Sequence, residues 1–170
     1  MSALVFVDTN VLLYKCDATD ASKQLRAAEW LSYLWRERSG RTSTQVLSEF
    51  YFNATHKLKP GLSRDDAWDE VLAYLTWNPL PIDPDVLKAA KELERRYRLS
   101  WWDCTIVAAA QTQGCELLLT EDLQDGSRIG SLVVRSPFAL EAREAVAEYE
   151  AAPRARALHR PRGRPTRVSA

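Results

Sequence analysis

Long apolar runs are missing from this chain. No stretch approaches the roughly 20 residues that a membrane-spanning helix needs, so no membrane span is expected. No basic segment precedes the short run Leu4-Val5-Phe6-Val7, and Asp8 follows it at once. That pattern is not the one a secretory signal would show. Histidine is scarce: His56 and His159 are the only two, which excludes a zinc finger. Cysteine is scarce and odd in number, with Cys16, Cys104 and Cys115 widely spaced. A disulfide framework is therefore excluded, and a reducing, cytoplasmic setting is expected. An excess of one charge is also missing: 23 Lys+Arg balance 23 Asp+Glu. That excludes a uniformly basic nucleic-acid binder but leaves room for a locally basic one. No internal repeat is visible.

What is present suits one globular domain. The 170 residues are 46% hydrophobic and 27% charged, enough to build a core. The charge balance conceals an asymmetry. Residues 153–170 carry six arginines, at 154, 156, 160, 162, 164 and 167, and no acid. Subtracting them leaves 17 basic and 23 acidic residues in 1–152, a net of −6. The tail is rich in Pro and Ala and has no apolar periodicity, which predicts a disordered basic extension.

The body alternates strand and helix signals. Leu4 to Val7 reads as a buried strand, and Val11 to Tyr14 begins a helical turn. Ala27, Trp30, Leu31 and Leu34 mark one face of a helix over about 21–37. Thr42-Ser43-Thr44 predicts a short strand and then an N-cap, ahead of a helix with Val46, Phe50, Ala54 and Leu58 on one face. Ser63 and Asp66 read as a capping box before a stripe of Trp68, Val71, Leu72 and Leu75. Asp83-Pro84 opens a helix lined by Val86, Ala90, Leu93 and Tyr97. The segment from about 101 to 113 is apolar all round in its middle, so it is expected to be central. Glu116 to Leu119 and Leu132 to Val134 add strands. Strands separated by helices imply a parallel sheet with helices on both faces, an α/β fold.

Four acids stand where chemistry is possible. Ligands of open α/β sheets bind beyond the carboxyl ends of the strands, and Asp8 and Asp122 each follow a predicted strand. Taken singly, each reads as a turn or cap residue before it reads as a ligand. Glu49 borders the buried face of its helix; the plain alternative is an acid whose stem lies along the boundary while its head reaches water. Asp103 sits in the first turn of the most apolar helix, where an acid also complements the helix dipole. If the four converge, their repulsion either raises a pKa or gathers cations. An all-carboxylate donor set selects hard ions, Mg²⁺ or Mn²⁺, which activate water and stabilise charge on a phosphoryl oxygen.

Four segments carry a resemblance. Val-Phe-Val-Asp8-Thr9-Asn10-Val-Leu-Leu-Tyr, Ser-Thr-Gln-Val-Leu-Ser-Glu49-Phe-Tyr, Leu-Ser-Trp-Trp-Asp103-Cys-Thr-Ile-Val and Leu-Leu-Leu-Thr120-Glu-Asp122-Leu-Gln-Asp-Gly occur in that order. Together they resemble the PIN domain, and most of all its VapC branch, the ribonuclease toxins of bacterial toxin–antitoxin pairs. The resemblance spans about residues 4–138. It implies a three-layer α/β/α fold around a short central parallel sheet. It maps an acidic quartet, both catalytic and metal-binding, onto Asp8, Glu49, Asp103 and Asp122. It gives Asn10 and Thr120 supporting roles; Asp125 is either an extra metal neighbour or a loop acid in solvent. It implies a Mg²⁺- or Mn²⁺-dependent endoribonuclease, an RNA substrate, a cognate antitoxin and a homodimer. The rival reading is a catalytically silent module of the same fold that holds RNA or a protein partner. Residues 1–138 are thus expected to form the nuclease domain, 139–152 a C-terminal helix, and 153–170 the arginine-rich tail. The resemblance does not reach those last two segments.

Overall fold

The computed structural model describes residues 3–152; the arginine-rich tail lies outside the described residues. Its core is a five-stranded sheet of very short strands. They are β1 (Val5–Val7), β2 (Gly40–Arg41), β3 (Leu117–Leu119), β4 (Arg128–Ile129) and β5 (Leu132–Arg135), in the order β2-β1-β3-β5-β4. All pairings are parallel except β4 with β5. Every residue of β1 and β3 is buried. Side chains alternate between the two faces of a strand, so uninterrupted burial means that both faces are covered.

Seven helices provide the cover: α1 (Thr9–Cys16), α2 (Ala21–Glu37), α3 (Thr44–His56), α4 (Arg64–Leu75), α5 (Pro84–Arg96), α6 (Trp101–Thr112) and α7 (Ala142–Ala151). They associate as two groups. One runs α2–α1–α3–α4, with α7 against α2, and the other is the α5–α6 pair. Most helices start on a side-chain cap. Asp20, Ser43, Ser63, Asp83 and Ser100 each accept a backbone N–H of the first turn. Helix α6 buries seven consecutive residues, Cys104 to Ala110, as its apolar composition requires.

Three expectations need correction. The strand after α2 is Gly40–Arg41, ahead of the predicted 42–44, where Ser43 forms an isolated parallel bridge to Leu80 and caps α3. Helix α4 buries Ala67, Val71 and Tyr74, while Trp68, Leu72 and Leu75 are 51%, 45% and 43% exposed. The inward face is therefore rotated toward Tyr74, whose ring meets Trp77 edge-on at 5.1 Å. Strand β4 was not expected. It is a two-residue partner that returns against β5 through a turn at Gly130, where φ is +63°.

Helix α7 is tied to the body. Trp30 Nε1 donates to the carbonyls of Pro137 and Leu140 (both 3.2 Å) just before it. Arg135, at the end of β5, donates to Glu148 on α7 at 3.0 Å and pairs with Asp125 at 3.6 Å. The 139–152 segment is thus helical over Ala142–Ala151.

A candidate acidic active site

Topology brings the first two acids together. Val7 pairs with Leu119, so the residues that follow β1 and β3 emerge side by side. Asp8 N donates to Leu119 O at 3.1 Å, and Thr120 N to Arg135 O at 3.0 Å. Asp8 then caps α1, with Oδ1 accepting Thr9 N at 2.7 Å. Its Oδ2 accepts the Thr120 hydroxyl at 2.8 Å. Thr120 Oγ1 in turn accepts Asp122 N at 3.1 Å, which fixes the turn carrying Asp122.

Asn10 links these groups. Its Nδ2 lies 3.0 Å from Thr120 Oγ1, 3.0 Å from Asp122 Oδ2 and 3.4 Å from Asp8 Oδ2. One amide thus sits between two carboxylates and gives each some positive charge. Its Oδ1 is buried without a hydrogen-bond partner. Glu49 joins from α3: Oε2 accepts the Thr9 hydroxyl at 3.1 Å, and Oε1 accepts Gln45 Nε2 at 3.0 Å.

The acids form a gradient of exposure. Asp8 is 7% exposed, Glu49 is half-buried and Asp122 is exposed. Burial pushes the Asp8 carboxyl up to about 6, because a desolvated carboxylate is costly. The Thr120 and Thr9 hydrogen bonds oppose that rise, while the charges of Asp122 and Glu49 reinforce it.

Asp103 stands apart from the network. It lies in the first turn of α6, where its Oδ2 accepts the Ser100 hydroxyl at 2.7 Å and its N–H donates back to that hydroxyl at 3.1 Å. No hydrogen bond or ion pair of the described residues joins it to Asp8, Glu49 or Asp122. Among the described residues, no three His, Cys, Asp or Glu side chains stand close enough together to hold a metal ion. The carboxylates are instead parked on neutral donors: Thr9, Gln45, Asn10, Thr120 and Ser100. Asp125 is engaged elsewhere, accepting Ser136 N at 2.8 Å and pairing with Arg135.

The donor set nevertheless fits a hard cation. It is all oxygen, and the buried acceptor Asn10 Oδ1 has no hydrogen-bond partner. Asp8 carries a desolvation cost that a cation would remove. Sequence reasoning missed Thr9 and Gln45. The spacing of Gln45 and Glu49, four apart on one helix, was the available signal for the second. It also missed a trio beside Asp122, in which the Tyr14 hydroxyl donates to Glu121 and Lys23 Nζ lies 3.2 Å from both.

The sequence matches the PIN domain family over residues 5–130. No curated protein matches it. Among solved structures, FitAB bound to the IR36 DNA fragment is 20% identical, with a TM-score of 0.62 over 81% of this chain and 98% of that one. VapBC2 from Rickettsia felis, bound to a promoter DNA fragment, is 15% identical, with a TM-score of 0.56 over 78% and 98%. VapC20 of Mycobacterium tuberculosis, a toxin that cleaves the sarcin-ricin loop, is 21% identical, with a TM-score of 0.52 over 67% and 86%. At these identities the likeness is one of fold.

Proposed function

The chain belongs to the PIN domain family, and we propose that it is a metal-dependent endoribonuclease, the toxin of a toxin–antitoxin pair. The observation that carries this reading is the junction of Asp8, Asp122 and Glu49 through Asn10, Thr120 and Thr9, beyond the carboxyl ends of β1 and β3. Nothing in a structural core calls for three acids there. Asp103 is the fourth member of the proposed quartet, and leaving Ser100 would cost it one exposed hydrogen bond.

Bound to these carboxylates, Mg²⁺ or Mn²⁺ would polarise the scissile phosphate and lower the pKa of an attacking water. The chain's own residues hold the frame. Thr120 fixes the orientation of Asp8, Asn10 spaces Asp8 from Asp122, and Thr9 with Gln45 aims Glu49. One carboxylate orients the water that attacks phosphorus, and the leaving oxygen departs as a 3′-hydroxyl, with the phosphate left on the 5′ end of the other product. The antitoxin partner is expected to place a cationic group, such as an arginine, among the same acids. A homodimer and a cytoplasmic location complete the proposal.

The test is metal-dependent cleavage of RNA by the full chain, compared with Asp103→Asn. Cleavage lost in the variant supports the reading. Wild-type protein that binds RNA or a protein partner with no cleavage in Mg²⁺ or Mn²⁺ would establish the silent-module alternative.

A further inference from the structure

Beside the acids, a groove of about 430 Å³ extends from α1 to the C-terminal end of α3. Asn10, Leu13 and Tyr14 line it on one side, and Asn53, Lys57 and Lys59 on the other. Asn10 lines the groove and also hydrogen-bonds Asp8 and Asp122, so the groove adjoins the acid site through that residue.

Its lysines differ from the other four. The chain has six lysines. Lys15 pairs with Glu70, Lys23 with Glu121, Lys88 with Asp85 and Lys91 with Glu94. Among the described residues, Lys57 and Lys59 form no ion pair, and both are exposed at the groove. Lys57 Nζ instead lies 5.9 Å from the ring of Phe52, which is 52% exposed and stacked on His56. On a body of net −6, two cations without carboxylate partners at one groove suit an anionic ligand.

We propose that this groove seats the nucleotide adjoining the scissile phosphodiester of a single-stranded RNA, with Lys57 and Lys59 on its phosphate and Leu13 and Leu58 against its base. The proposal rests on the nuclease reading and gives its substrate a register. The volume falls within the usual range for small-ligand sites. Leu13 and Leu58 are half-buried and supply apolar surface beneath a base. Asp17, also at the groove, is held below the usual carboxylate range by the Thr19 hydroxyl and N–H. It therefore stays ionised and can accept from an exocyclic amino group, as recognition of unpaired bases by their edges requires. An acidic peptide is disfavoured as the occupant. Continuing past Asn10, it would bring its carboxylates against Asp8 and Asp122, whereas a phosphodiester chain brings there the group those acids and a cation act on.

The experiment measures binding of a fluorescein-labelled ten-nucleotide single-stranded RNA at several KCl concentrations. The full chain carries Asp103→Asn, with and without Lys57→Ala/Lys59→Ala. The expected result is an approximately tenfold weaker Kd and a log–log salt slope flatter by roughly 0.7, one phosphate at the single-strand coefficient. Lys88→Ala/Lys91→Ala is expected to change neither. Hydrolysis of bis(p-nitrophenyl) phosphate by otherwise wild-type protein reports the acid site separately from RNA binding. Unchanged RNA affinity and slope in Lys57→Ala/Lys59→Ala overturn the proposal. So does weakened binding of an oligo-glutamate peptide with RNA binding intact, which would make the groove a protein site. If wild-type protein hydrolyses neither RNA nor the small diester, the nuclease reading falls, and the binding comparison still decides the groove.

Discussion

Thr120 Oγ1 donates to Asp8 Oδ2 across 2.8 Å, joining residues 112 apart in the sequence at the most buried point of the acidic site. It is the main hydrogen bond restraining the upward shift of the Asp8 carboxyl. Replacing Thr120 by Val keeps the shape and removes the donor. The expected outcome is a further rise in the Asp8 pKa and a loss of about 1–3 kcal/mol at pH 8, the usual cost of an unsatisfied buried group. Denaturant unfolding at pH 4 and pH 8 checks it; the loss should be smaller at pH 4, where the carboxyl is protonated.

Asp8 itself makes stability depend on pH in a defined direction. Its folded pKa of about 6 is above the unfolded value of 3.8, so the native state favours the protonated carboxyl. That advantage is complete below pH 3.8 and is lost as pH rises through about 6. The difference of about two pK units corresponds to roughly 3 kcal/mol. Without metal, Asp8→Asn should therefore gain on the wild type between pH 4 and pH 8. Unfolding in EDTA across that range measures the gain, and a pH-independent difference would refute it.

Divalent metal should reverse this penalty. Mn²⁺ is expected to raise the melting temperature of the wild type, because binding to the native state alone stabilises it. The rise should shrink in Asp8→Asn and in Asp103→Asn. An equal shift in Asp103→Asn would show that the fourth acid stays on Ser100 when metal binds.

Gly40 offers a steric test remote from the acids. A Cβ there would lie 2.5–2.7 Å from the six-membered ring of Trp77. Gly40→Ala is expected to cost about 1–3 kcal/mol through overpacking, with activity per folded molecule unchanged. Thermal melting and an active-fraction assay check the two halves.

The arginines of 153–170 give a further salt-dependence prediction. If four to six of them each neutralise one phosphate, ending the chain at Ala152 should flatten the RNA-binding slope by roughly 3 to 4. The cleavage position should not move. Superimposable slopes would remove the tail from RNA binding.

The sequence announced some of this structure more clearly than the rest, for physical reasons. Helix α2 was legible, because Ala27, Trp30, Leu31 and Leu34 repeat at helical spacing. Helix α4 was not, because Trp68 and Leu72 are as apolar as Val71 and Tyr74, and the inward face is the one that packs Tyr74 against Trp35 and Trp77. Strand β4 has two residues and exists through pairing with β5, a tertiary cause that leaves no local period. At the site, Asp8 and Asp122 were legible because strand ends locate them. Glu49 was marked by its place beside Phe50, but its Thr9 contact depends on how α3 lies on α1. The separation of Asp103 from the other three was not legible, since a capping hydroxyl and a shared cation compete for the same oxygen.

Arg135 occupies an unusual crossroads. Its carbonyl receives the Thr120 N–H, while its guanidinium engages Asp125 and Glu148. Arg135 thus touches both α7 and the backbone that carries Thr120 and Asp122. A C-terminal fusion, an immobilising surface or a binding protein that tugs on that helix would act on the acids from the opposite end of the chain. Helix α7 is, in this fold, a handle on the site.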